Sequence, residues 1–113
     1  PPGASIEPGT PIKLDARQQE AVVTGVTKWM KEPATAAFGE LSAAKNSRGF
    51  LTVCGQVTGR NSAGAYDRMS LFIGALMGSA AKPEFVVVEI GASGRERANI
   101  ESLCRESGVA NSG

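Results

Sequence analysis

The stretch Val53–Tyr66, VCGQVTGRNSAGAY, sets the reading of the whole chain. A β-prone run carrying Cys54 breaks at a polar turn rich in Gly, Asn and Ser and resumes at an aromatic, the pattern of a hairpin. The run extends back to Phe50. Leu51, Val53, Gly55 and Val57 share one face, and Phe50, Thr52, Cys54 and Gln56 the other. Both faces therefore carry apolar groups, as expected of a central strand covered by a helix on at least one side. Beyond the turn, Tyr66–Gly74 alternates again at Met69, Leu71 and Ile73. The only other cysteine, Cys104, lies fifty residues after Cys54.

Toward the N-terminus, Asp15 and Gln18 form a capping box, and Leu14, Val22, Val26 and Trp29 follow at helical spacing. Val23 and Met30 widen the stripe. This pattern predicts a helix over 15–31 with Trp29 packed against a sheet, stopped by Pro33, which disfavours helical backbone at Glu32. Residues 1–13 are Pro/Gly-rich and aperiodic, and read as a flexible leader between an export signal or lipid anchor and a single domain over 14–108. Residues 109–113 read as a tail. Ala36–Ala44 is a weaker strand, ended by the turn Lys45–Gly49, and Ala75–Lys82 reads as loose. Glu84–Ile90, EFVVVEI, has the highest β propensity and reads as a central strand. A second capping box, Ser93 with Glu96, opens a helix with Ile100, Leu103 and Cys104 on one stripe, and Gly108 is placed to end it. Strands grouped together rather than alternating with helices give an α+β fold. We expect an N-terminal helix, an antiparallel meander of three to four strands and a C-terminal helix packed on the sheet, both helices on one face.

Composition narrows the chemistry. Twelve Lys and Arg against eleven Asp and Glu leave a net charge of +1 over 113 residues. That charge supplies no broad field for a polyanion, and the aromatics are too dispersed for base stacking, so no nucleic acid partner is expected. The chain has no histidine. His-dependent triads and His-ligated metals are thereby excluded, and we expect no enzyme, no metal and no cofactor. The least polar window, Leu71–Ala81, is about half the length that crosses a bilayer, so no transmembrane segment is expected in this chain.

The pattern around the hairpin resembles a family of small bacterial envelope proteins that read DPxSAxF, then VCGxVNxxNSxGGYxGxxxF, then a late Cys. The first block stands here as Glu32-Pro33-Ala34-Thr35-Ala36-Ala37-Phe38. The second stands as Val53-Cys54-Gly55, Val57, Asn61-Ser62, Gly64, Tyr66 and Phe72, with Cys104 as the late cysteine. Thr58, Ala65 and Asp67-Arg68 depart from it. The resemblance covers about residues 30–104. It implies an exported α+β domain, periplasmic or secreted, with an anchor segment as one option. It implies no activity.

Three readings are open for Cys54 and Cys104: a disulfide, two buried free thiols, or a redox centre. The first is favoured in a small exported domain, and the third lacks a C-x-x-C spacing and an evident base. The turn residues Arg60, Asn61, Ser62 and Gly64, with Tyr66 and Arg68, form the candidate binding turn. It spans G-x-x-x-x-G but lacks the Lys a phosphate loop needs, so backbone turn chemistry is the simpler role. Gly91–Gly94 before the second helix, with Arg95 and Arg97, mimics half of a dinucleotide fingerprint, although capping explains it more economically. Asp67 and Glu89 could pair as catalytic carboxylates, but alternation places them on a solvated face. The function expected is a non-enzymatic exported module that binds another protein. The alternative is a small-ligand or weakly catalytic domain with a pocket between helix and sheet near Tyr66, Arg68 and Glu89.

Overall fold

The computed structural model describes residues 9–30, 32–59 and 69–109. Six strands and two helices follow in the order β1 (Thr10–Ile12), α1 (Ala16–Thr27), β2 (Ala37–Phe38), β3 (Ser42–Lys45), β4 (Leu51–Thr58), β5 (Ser70–Gly78), β6 (Pro83–Gly91) and α2 (Gly94–Glu106). All pairings are antiparallel. The order across the sheet is β1-β3-β4-β5-β6, with β2 also paired to β4. The fold is α+β, with both helices packed on the sheet.

Strand alternation divides the interior into two cores. Val53 and Val57 of β4, Phe72 and Leu76 of β5 and Phe85 of β6 join Val22 and Val26 of α1. Cys54, Leu71 and Ile73 join Ile100 of α2, with Leu103 and Cys104 packed against them. Adjacent residues of a strand point to opposite faces, so α1 and α2 cover opposite faces of the sheet. The expectation of two helices on one face is corrected. The apolar groups on both faces of β4 are there because each face has its own helix.

Both capping boxes form. Asp15 Oδ1 accepts from the Gln18 amide at 2.8 Å, and the Gln18 side chain accepts from the Asp15 amide at 2.9 Å. Ser93 and Glu96 do the same at 3.1 Å each. Helix α1 ends earlier than the periodicity predicts. The amides of Trp29 and Met30 bond three residues back, to Val26 and Thr27, tightening the last turn out of the helix. Met30 still packs on the α1 core, but Trp29 turns outward and is 64% exposed. At the other end, Gly108 has φ +84 and closes α2 in a Schellman motif, with Gly108 N–H on Arg105 and Val109 N–H on Cys104. The motif folds Val109 back into the α2 core, so the segment read as tail begins with a buried residue.

Three further segments differ from their sequence reading. Thr10–Ile12, read as leader, pairs with β3, and Leu14 is buried beneath α1. Ala75–Gly78, read as loose, continues β5, because each of its residues pairs with β6, from Ala75 opposite Val86 to Gly78 opposite Pro83. Glu84–Ile90, read as central, lies in the last strand of the sheet order. Its apolar character reflects the cover that α1 gives it, since β propensity reports a half-buried surface rather than a central position.

Gly25 lets α1 approach β6. A Cβ at that position would collide with the Phe85 carbonyl oxygen and press on the Phe85 ring. The obstacle is largely backbone and cannot swing away. Gly25→Ala would gain up to about 1 kcal/mol in helix propensity but lose roughly 1–3 kcal/mol to overpacking. Denaturant unfolding of the oxidised protein should therefore show a net loss of stability, and equal or greater stability would contradict this account of the α1–β6 contact.

Candidate functional site

Cys54 and Cys104 are joined, with Cα atoms 6.3 Å apart, and no free cysteine remains. The bond fastens α2 to the row of the sheet formed by Cys54, Ile73 and Glu89, which are directly opposite one another on β4, β5 and β6. Noncovalent contacts favour the same docking. Asn99 donates to both carboxylate oxygens of Glu89 at 2.8 and 2.9 Å, and the Arg97 guanidinium donates to the Met69 carbonyl at 2.6 Å. Glu89, half-buried under this contact, is a docking residue for α2 rather than a solvated carboxylate.

At the start of α2 the capping box itself engages the amides of Ala92, Ser93 and Glu96 and places the Glu96 carboxylate there. Glu96 Oε1 accepts from the Ala92 and Ser93 amides at 3.2 and 3.1 Å. Bonds with the Ser93 backbone, then its side chain, and with the Ala92 backbone hold the Glu96 carboxyl below its usual range. Of the candidate binding turn, Arg60, Asn61, Ser62, Gly64, Tyr66 and Arg68 all lie outside the described residues, as does Asp67. Among the described residues no group of His, Cys, Asp or Glu is placed to hold a metal ion.

Two surface features stand out. The first is a cleft of about 850 Å³ between α1 and the β5–β6 connection, with Arg17, Glu20 and Lys28 on the helix side and Lys82 on the other. Arg17 spans it to donate to the Ala81 carbonyl at 3.2 Å. Glu84 also borders the cleft but sits opposite Met77, on the α2 side of the sheet. It therefore does not face Glu20 as a carboxylate pair would.

The second feature is the end of the α2 face that α2 leaves bare. Thr52, Ala75 and Val86 are directly opposite one another across three strands. In the next row Met77 lies opposite Glu84, and the ladder bond from the Asn46 amide to the Phe50 carbonyl continues the β3–β4 register to Phe50. Phe50 is 60% exposed, Met77 54% and Val86 50%. Val88, at the bulge that shifts the β5–β6 register, is more exposed still. A helix about 10 Å wide cannot cover strands about 30 Å long unless it runs along them, which is why one end stays open. The sequence contained the signal, since the apolar residues of β4 and β5 extend beyond the reach of the short stripe Ile100, Leu103 and Cys104. Reading Ala75–Lys82 as loose concealed Met77.

No family model, curated protein or solved structure matches the chain.

The bond closes a loop of about fifty residues, worth roughly 4 kcal/mol in the chain-entropy model. Cys104→Ala should lower the unfolding free energy by about 2–5 kcal/mol in denaturant titrations under non-reducing conditions. A loss under about 1 kcal/mol would mean that the side-chain contacts of α2 suffice without the bond.

Proposed function

We propose that the chain is a non-enzymatic protein-interaction module of an exported, oxidising compartment, which engages its partner through the bare end of the α2 face. The observation that carries this reading is the contiguous apolar surface of Phe50, Met77 and Val86, with Thr52 and Ala75 between them. Contiguous exposed apolar surface of this kind, rimmed by polar groups, marks sites of association. Export is supported by the disulfide, a bond that persists in oxidising compartments, and by the resemblance to small bacterial envelope proteins. No described helix is long and apolar enough to cross a membrane, which is compatible with a periplasmic or secreted domain, whether free or anchored.

A second reading, a small-ligand site, is favoured by the α1–β6 cleft, whose volume falls in the range of ligand pockets. The two readings separate in one experiment. Tagged wild-type chain and its Met77→Glu variant, both shown to be folded by thermal unfolding, are used to capture binders from bacterial envelope extract, with mass spectrometry of what is retained. The wild type should retain a defined polypeptide that the variant loses. Retention of only a small molecule, equally by both proteins, would overturn the protein-binding reading.

A further inference from the structure

We propose that the cleft between α1 and the β5–β6 connection binds a small polyanion, a molecule carrying neighbouring carboxylate or phosphate groups. This rests on the second reading above, that the cleft takes a small ligand, and names the chemistry of that ligand. Arg17, Lys28 and Lys82 line the cleft. Of the two carboxylates that border it, only Glu20 is on their side, because Glu84 stands on the α2 side of the sheet. The cleft therefore holds an excess of two positive charges, whereas the whole chain carries +1. None of the three cations forms an ion pair among the described residues. Like charges gathered without a partner repel one another, and a bound anion relieves that repulsion.

One end of the cleft is built before any ligand arrives. Ser79 accepts from the Lys82 amide twice, through its carbonyl at 3.1 Å and its hydroxyl at 3.0 Å, and so closes the connection into a tight turn. That turn presents the Ala81 carbonyl to Arg17, which donates to it through one terminal nitrogen at 3.2 Å. A guanidinium has five N–H donors, so most of the fork stays available to an oxyanion. Lys82 follows Ala81 directly and lines the same cleft, which sets an ammonium beside the held guanidinium. Along α1 the lining then turns small at Ala21, Thr24 and Gly25, which leaves room for the body of a ligand. Lys28 caps the helix eleven residues beyond Arg17, about 16 Å along its axis, and adds to the field rather than to the same contact.

Isothermal titration of the full oxidised chain with pyrophosphate and, separately, with citrate tests the site. The wild type should bind at least one of them saturably, one per chain, and the tighter of the two shows which oxyanion the site prefers. Affinity should fall as salt is added, because the cations are exposed and therefore screened. Arg17→Gln and Lys82→Gln should each weaken binding by about tenfold, the loss of a charge-assisted contact. Arg105→Gln removes the same charge from α2, on the opposite face of the sheet, and should change the affinity by less than about twofold. Thermal unfolding shows that each variant is folded. Failure of both anions to bind saturably overturns the proposal, as does binding indifferent to Arg17→Gln and Lys82→Gln. An equal loss in Arg105→Gln overturns it too, because a diffuse field and not the cleft would then hold the anion. If neither anion binds but the wild type carries an uncharged small molecule out of envelope extract, and Thr24→Trp loses it by filling the cleft, the small-ligand reading stands and only its chemistry is wrong. If the cleft carries nothing, that reading falls with the proposal.

Discussion

Strand β4 carries two cores at once, and the covalent bond at Cys54 holds the weaker of them together. On one face, α1 contributes two fully buried valines to a cluster containing Phe72 and Phe85. On the other, α2 contributes a single fully buried side chain, Ile100, to a smaller cluster. One isoleucine and two partly buried neighbours are a thin hydrophobic basis for docking a helix of 13 residues. The disulfide, the Asn99–Glu89 bonds and the Schellman turn at Gly108 compensate. They bring the ends and the middle of α2 to one place on the sheet, and that place determines which surface stays uncovered.

The local elements were legible in the sequence because their causes are local. Asp15 with Gln18 and Ser93 with Glu96 are complete capping boxes within four residues, and Gly108 ends α2 by a conformation that glycine adopts readily. The disulfide is the reading the sequence favours, because small exported domains are stapled in this way and a redox pair would need a C-x-x-C spacing and a base. What the sequence did not disclose depends on contacts distant in the chain. Whether α1 and α2 share a face is decided by the parity of Val53 against Cys54, together with which helix claims which parity. Neither helix's stripe carries that information. Trp29 shows the same limit. Its spacing fits the stripe, but the chain leaves the helix at Thr27 and the indole turns outward.

The site was less legible than the fold. The turn that drew attention for its Asn, Ser and Gly residues lies outside the described residues, so its part in binding rests on sequence alone. The surface that emerged instead joins Phe50 and Val86, which lie in strands read as central, to Met77, which lies in a segment read as loose. Alternation assigns such residues to a face, whereas exposure depends on how far the covering helix reaches. A short helix tied to one end of long strands leaves the other end open, and the proposed binding surface and the stability of α2 are then linked through a single geometric fact. The bond that secures α2 also fixes the boundary of the bare face.

That link is tested most directly by amide hydrogen exchange of the oxidised and the reduced chain, compared under native conditions. If the disulfide is what holds α2 in place, reduction should strip protection from Gly94–Glu106 while β4, β5 and α1 keep theirs. Protection lost in all elements together would contradict this account, because the two cores would then be one cooperative unit. Protection unchanged in α2 would contradict it equally, because side-chain packing would then hold the helix without the bond.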